Sequence, residues 1–198
     1  MLRLPESISN TYYALRHAHS VANLQNRIVS YPRHGRSGFG LSSHGTAQCA
    51  ARADSWRGEL FGRQVVVIAS DFLRAVETGL FLVRALNLRR LGTAAVLRER
   101  NFGQLEFQTD KNYKLVWDRD RRNPAHRWMG VESVHMVRRR TLGFIRQCEK
   151  KYKGCAIVLV SHGDALQILE THFRFLSPQM HRSLPPLRNA ELRILGGP

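Results

Sequence analysis

The sequence lacks the features that would divide it or place it in a membrane. No apolar run approaches the roughly 20 residues of a membrane span, and no repeat, low-complexity tract or Pro/Gly-rich linker interrupts the 198 residues. The first ten residues mix charged side chains with proline and lack the apolar core of a signal peptide. We therefore expect a single domain over residues 1–198 of a cytoplasmic protein, with no membrane partner.

Cysteine and acidic residues are both scarce. The three cysteines, Cys49, Cys148 and Cys155, lack metal-ligand spacing, and their odd number argues against a disulfide framework. Lys and Arg total 31 against 15 Asp and Glu, which gives a formal charge of +16 and favours anionic partners. The basic residues form no long tract and no stacking aromatics accompany them. A small phosphorylated substrate is therefore expected, rather than nucleic acid.

The sequence does contain apolar runs that alternate with helical patterns. Continuous apolar segments predict buried strands at 12–15, 64–69 and 156–160, and a last short strand is predicted at 191–195. Apolar residues at helical spacing predict four helices. Ser42 is the predicted N-cap of the first, Ser70 or Asp71 caps the second, and the others extend over 133–150 and through 166–173. This order predicts an α/β protein, a three-layer α/β/α sandwich with a mainly parallel, mixed central sheet.

One long segment does not fit the alternation. Residues 104–130 are irregular, polar and rich in Trp and Arg, and loops of this length are often lids over sites. We predict a lid-like insertion at about 104–130. Its side chains either bind a second anionic group of the substrate or, for Trp117 and Trp128, anchor the lid to the core. The candidates for anion binding are Lys111, Tyr113, Trp117, Arg119, Arg121, Arg122 and His126.

Cationic and nucleophilic side chains follow the predicted strands. Arg16 and His17 follow the first strand, Arg74 lies one turn into the helix after the second, and His162 follows the third. The carboxyl ends of parallel strands meet at one edge of a sheet, where helix N-termini also favour anions. Arginine matches phosphate oxygens through its planar fork. The pattern therefore predicts a phosphate-binding pocket.

The same residues can support catalysis or a purely structural role. A neutral histidine can attack phosphorus, and a cationic surround lowers its pKa toward that form. Glu99 is the candidate proton donor, because partial burial would raise its pKa. However, a histidine after a strand is often a structural hydrogen bonder, and a lone glutamate is often a surface charge. Taken without further comparison, the residues support the two readings about equally.

Five segments, in order, resemble motifs of the histidine phosphatase superfamily, which includes the cofactor-dependent phosphoglycerate mutases. The segments are Leu15–Asn23, Ser70–Thr78, Leu97–Gly103, Gly130–Ser133 and Val160–Asp164. Together they extend the resemblance over about residues 12–195. The sequence departs from the family pattern at Ala18 and Phe107, where glycine is common, and at His19, where glutamate is common.

The resemblance implies a phosphoglycerate mutase-like fold and a histidine acid phosphatase-type phosphoric monoester hydrolase of the small phosphatase branch. His17 would be the phosphorylated nucleophile and Glu99 the acid and base, while the phosphate cradle would consist of Arg16, Arg74 and His162. The candidate substrate-binding residues are Asn23, Ser20 and Gly163. The family needs no metal or other cofactor, because arginines stabilise the developing charge, and none is expected here.

The short region between Gln104 and Gly130 favours hydrolysis over transfer back to a substrate. Mutases of the family carry a longer insertion there that retains a bisphosphate, whereas a more open pocket admits water. The leading hypothesis is a metal-independent phosphomonoesterase that works through a phosphohistidine on His17. The alternatives are a phosphoglycerate mutase-type phosphotransferase and a non-catalytic protein that binds phospho-ligands or nucleic acid on the same fold.

Overall fold

A five-stranded sheet forms the centre of the protein. The computed structural model describes residues 8–198, so most of the N-terminal segment considered above lies outside the described residues. The strands are β1 (Thr11–Arg16), β2 (Val65–Ala69), β3 (Gly92–Thr93), β4 (Ala156–Ser161) and β5 (Leu192–Gly196). Their order is β3-β2-β4-β1-β5, and all neighbours are parallel except β5, which runs antiparallel to β1. The predicted mainly parallel, mixed sheet is confirmed.

Helices cover both faces of this sheet. They are α1 (Val21–Leu24), α2 (Pro32–Gly35), α3 (Ser43–Glu59), α4 (Leu73–Ala85), α5 (Tyr113–Arg122), α6 (Val134–Lys151) and α7 (Gly163–Phe173). One core lies between the sheet and α3 with α4, and the other lies between the sheet and α6 with α7. The three-layer α/β/α prediction is therefore confirmed. Within residues 8–198, no helix is long and apolar enough to cross a bilayer.

The central strand β4 explains why the predicted strands were continuous apolar runs. Its alternate side chains enter opposite cores: Val158 and Val160 face α3 and α4, whereas Ile157 and Leu159 face α6 and α7. All six residues of β4 are consequently buried. A strand that is covered on both faces has no solvent side on which to place polar residues.

Side-chain caps begin two of the long helices. Ser42 accepts a hydrogen bond from the N–H of Gly45 at the start of α3, as predicted. Ser133 caps α6 in the same way. The prediction that Ser70 or Asp71 caps α4 is wrong, because α4 begins after Phe72 without a side-chain cap. The Ser70 hydroxyl instead accepts the N–H of Phe72 and contacts a histidine described below.

The segment 104–130 is more regular than its sequence indicates, since it contains α5. Val116 of α5 is completely buried in a small separate core that also contains Ile28, Phe102, Leu105 and Val131. A second attachment is an ion pair between Arg100 and Asp120, both completely buried, with N–O distances of 2.6 and 2.7 Å. These contacts fix α5 beside the carboxyl edge of the sheet.

The buried ion pair gives a stability prediction. Asp120→Ala would leave Arg100 with its hydrogen bond to the neutral Glu132 carbonyl and, among residues 8–198, with one ion-pair partner, Asp164, at the longer distance of 3.4 Å. We expect the free energy of unfolding to fall by about 3–5 kcal/mol, because an uncompensated buried charge is strongly destabilising. Urea denaturation measures this change. The matched control is Asp118→Ala on the same helix, which should cost less than about 1 kcal/mol. Similar losses in both variants would contradict the assignment.

Candidate active site

The carboxyl ends of β1 and β4 lie side by side and carry the core of the candidate site. Arg16 pairs in register with Ser161, and the N–H of His17 donates to the Ser161 carbonyl at 2.9 Å. The rings of His17 and His162 meet edge to face with centroids 5.1 Å apart. Arg74, in the first turn of α4, donates its Nε to His17 Nε2 at 3.2 Å. The four residues predicted from strand ends are thus brought together.

Hydrogen bonding fixes the orientation and the tautomer of His17. Its Nδ1 lies 2.8 Å from the carbonyl oxygen of Ala18, which can only accept, so Nδ1 carries the proton. Nε2 therefore carries the lone pair, which accepts the Nε–H of Arg74 in this structure. Burial lowers the pKa of His17 well below its ordinary value, and the charges of Arg74 and Arg16 lower it further. The lowered pKa favours the neutral imidazole, with Nε2 as its unprotonated nitrogen.

The departure at Ala18 does not disturb this turn. Ala18 adopts a negative φ, so the backbone there does not need glycine. Its N–H donates to Thr78 Oγ1 at 3.0 Å, and the same hydroxyl donates to the Arg74 carbonyl at 2.8 Å. The loop after β1 is therefore tied to α4 through one buried threonine.

Unpartnered nitrogen atoms surround His17. Within residues 8–198, four buried side-chain polar atoms have no hydrogen-bond partner, and three of them belong to this cluster: Arg16 Nε, Arg74 Nη1 and His162 Nδ1. The remaining contacts of the two guanidinium groups are fixed, with Arg16 bound to the Leu187 carbonyl and Arg74 to that of Val29. Buried donors without partners are costly. An anion with several oxygen acceptors would satisfy the arginines.

Arg16, His17 and Arg74 line a cavity of about 220 Å³. The predicted substrate-binding residues Ser20, Asn23 and Gly163 all line it. Ser20 and Asn23 also form a reciprocal capping box at the start of α1, so their side chains shape the wall. His162 is completely buried behind the lining and holds Ser70 Oγ through Nε2 at 2.9 Å. Burial, followed by the charge of Arg74, lowers the pKa of His162 well below its ordinary value.

Glu99 enters the same cavity from the loop that follows β3. It is partly buried, and its Oε1 accepts the N–H groups of Arg100 at 2.9 Å and Ala165 at 3.2 Å. Burial and the neighbouring Asp164 raise its pKa, whereas these two N–H groups and Arg74 act in the opposite direction. The net direction is upward. The carboxyl group can therefore hold a proton in the cavity that His17 also lines.

Two aromatic residues of α5 complete the outer wall. Trp117 donates its Nε1 to both carboxylate oxygens of Asp164, at 3.0 and 3.1 Å. The guanidinium of Arg182 lies 3.8 Å from the centre of the Trp117 ring, and Tyr113 is stacked with that ring at 5.6 Å. Trp117 is therefore an anchor between α5 and α7, as one of the two sequence alternatives proposed.

The basic residues of the segment 104–130 do not line the cavity. Arg119 lies over the Trp128 ring at 3.7 Å, and His126 binds the buried Asp120 at 2.9 Å. The outer cations are instead Arg27 and Arg182, which sequence reasoning missed. Arg27 follows α1 and Arg182 lies in a short 3₁₀ turn after α7, and neither belongs to a motif that would single it out.

The described part of the chain, residues 8–198, contains no group of three or more His, Cys, Asp or Glu side chains that could hold a metal ion. The polar groups that line the cavity are mainly arginines, hydroxyls and amides, and two of the lining carboxylates, Glu99 and Asp164, already accept N–H groups. This donor set suits an anion better than a cation.

Comparison with known proteins identifies the family. The model of the histidine phosphatase superfamily (branch 1) matches residues 12–197, whereas a search of curated proteins gives no match. A mycobacterial glucosyl-3-phosphoglycerate phosphatase complexed with VO3 has a TM-score of 0.77 and 22% identity, with 92% of this chain and 90% of that chain covered. YhfR from Bacillus stearothermophilus has a TM-score of 0.74 and 20% identity, with coverage of 93% and 90%. At such identities these structures show a shared fold. Because the family model matches nearly the whole chain, the chain belongs to the histidine phosphatase superfamily, branch 1.

Proposed function

We propose that the protein is a phosphatase that hydrolyses a small phosphate monoester, without a metal ion, through a phosphohistidine at His17. One observation carries the proposal: the unpartnered nitrogens of Arg16, Arg74 and His162 surround a neutral histidine. Membership of the superfamily supports a phosphatase. One similar structure is that of a glucosyl-3-phosphoglycerate phosphatase, which fits the same reaction class. The buried, free cysteines fit the cytoplasmic location that we propose.

The first step would transfer the phosphoryl group to the protein. The lone pair of His17 Nε2 forms a bond to phosphorus as the bond between phosphorus and the alcohol oxygen breaks. Glu99 donates its proton to that oxygen, so the alcohol leaves neutral. The N–H of Arg74 that faces Nε2 in the free protein turns to the phosphate oxygens. Arg16 and Arg74 then offset the charge on those oxygens.

The second step would return the site to its starting state. The Glu99 carboxylate takes a proton from a water molecule, whose oxygen attacks phosphorus. The N–P bond breaks and its electron pair returns to His17 Nε2, which releases inorganic phosphate. Glu99 is again protonated, so the two steps together consume only water. The raised pKa of Glu99 suits both of its roles.

We also propose that residues 104–130 act as a lid within a single domain. α5 contributes Tyr113 and Trp117 to the cavity wall, while Asp120 attaches the helix to Arg100. Because Arg100 directly follows Glu99, the same attachment places the acid and the wall together. The segment would exclude bulk water from one side of the substrate.

The nucleophile can be tested by trapping the phosphorylated protein. Wild type mixed briefly with a ³²P-labelled ester and quenched in alkali should carry a label that acid removes, because phosphohistidine is acid-labile. His17→Ala should carry no label and release no phosphate. The matched control is His44→Ala, since His44 is exposed and contacts His19 rather than His17. Undiminished labelling of His17→Ala would rule out the proposed intermediate.

Glu99 gives a separate prediction that depends on the leaving group. Glu99→Gln should lower kcat/KM for an alkyl phosphate by roughly 10²–10⁴-fold, because the alcohol then leaves without a proton donor. The fall in kcat/KM should be much smaller for p-nitrophenyl phosphate, whose leaving group needs no proton. Since the pKa of Glu99 is raised, kcat/KM of the wild type for the alkyl ester should fall as pH rises through that pKa. The variant should lack this decline, and equal losses of kcat/KM for both esters would contradict the role of Glu99 as the acid.

A binding and transfer experiment distinguishes the phosphatase from a non-catalytic binder and from a mutase. Inorganic phosphate should raise the Tm of the wild type, because it binds only the folded state, and should raise the Tm of Arg74→Gln much less. A non-catalytic binder would show this shift without turnover of any ester. A mutase primed with a bisphosphate would isomerise a phosphoglycerate with little release of phosphate. Hydrolysis as the main outcome would support the phosphatase.

A further inference from the structure

Four arginines line the candidate cavity, and the proposed reaction uses only two of them. Arg16 and Arg74 lie beside His17, whereas Arg27 and Arg182 belong to the rest of the wall. Two positive charges match a phosphate dianion. The charges of the other two arginines must therefore be satisfied in some other way.

Arg182 is satisfied by the protein itself. Its guanidinium covers the Trp117 ring, binds Gln167 Oε1 and lies 3.9 Å from an oxygen of Asp164. The same carboxylate accepts the Trp117 indole N–H. Arg182 is thus part of the packing that holds α5 against α7, and its charge is paired.

Arg27 is different. Its side chain is exposed and has no hydrogen bond or ion pair with any residue in the range 8–198. Its backbone, in contrast, is fixed on two sides: the N–H donates to the Ala22 carbonyl at 3.0 Å, and the residue forms an antiparallel bridge with Thr109. The chain therefore holds a free cation at the cavity wall. Asp110 lines the same cavity but forms no ion pair with Arg27.

The size of the cavity limits what Arg27 can meet there. About 220 Å³ is below the roughly 300–1,000 Å³ of pockets for drug-sized ligands. A phosphate group with a short carbon chain matches the size of this cavity, whereas a larger ester would extend out of it. A group on the far end of such a short molecule would lie within the same walls as Arg27.

We propose that Arg27 determines substrate specificity by binding a second anionic group. The substrate class is then a small phosphate ester whose alcohol part carries a carboxylate or a second phosphate. This inference rests on the proposed phosphatase function for the first phosphate. It assigns a role in substrate binding to Arg27, which takes no part in the proposed phosphoryl transfer.

The test compares two esters that differ only in the second group: 3-phosphoglycerate, with a carboxylate, and glycerol 3-phosphate, with a hydroxymethyl group. Wild type should favour 3-phosphoglycerate in kcat/KM. Arg27→Gln should lower that value roughly tenfold, the size expected for one charge-assisted hydrogen bond, and change the value for glycerol 3-phosphate less than about twofold. Asp110→Asn should shift the preference further toward 3-phosphoglycerate, because it removes a negative charge from the wall.

The matched control is Arg122→Gln, which removes the same charge from an exposed position outside the cavity. It should leave the preference unchanged, since Arg122 acts only through the long-range field. Equal losses for both esters in Arg27→Gln, no loss at all, or the same selective loss in Arg122→Gln would overturn the proposal. If the wild type hydrolyses no ester, the phosphatase function fails, and isothermal titration of the same two compounds to wild type and Arg27→Gln decides the subsite separately.

Discussion

The buried ion pair between Arg100 and Asp120 is the constraint on which the candidate site depends. Arg100 also donates to the Glu132 carbonyl at 2.6 Å and approaches Asp164 at 3.4 Å, so one side chain connects four segments of the chain. A guanidinium in this position is tolerated only while its partners remain in place. Helix α5 therefore cannot move away without leaving a charge unpaired in the interior. The positions of Glu99 and of the outer wall follow from this one pair.

The sheet and the side chains clustered at its carboxyl edge could be predicted from the sequence because both depend on local patterns. Buried strands are continuous apolar runs, and residues directly after parallel strands must meet at one edge. The positions of Arg16 and His162 could be predicted from the order of the strands, without knowledge of other distant contacts. The start of α4 and the existence of α5 could not be predicted in this way. The Ser70 hydroxyl binds His162 and does not cap α4. In α5 the charged Asp120 is buried, whereas a hydrophobic pattern assigns charged residues to the exposed face.

The outer wall could not be predicted because tertiary contacts define it. Arg182 reaches the cavity only because its turn packs beside α7, and Asp164 acquires its partners from α5 and from the loop after β3. The departure at Phe107 has a similar explanation. Phe107 adopts a φ of 64°, which suits glycine, and its N–H is held by the Ile28 carbonyl at 2.8 Å while its ring packs on His34. Contacts with residues distant in sequence thus stabilise a backbone conformation that glycine would adopt more readily than phenylalanine.

The pairing of β1 with β4 and β5 has a consequence for the synthesis of the protein. β1 emerges first from the ribosome, yet both of its partners in the sheet belong to the last quarter of the chain. The strand that delivers His17 therefore has two unsatisfied edges during most of translation, and such edges are prone to pair with other chains. Contacts between distant parts of a chain also form slowly. The candidate site is accordingly among the last parts of the molecule to form, and a chain truncated before β4 would lack it.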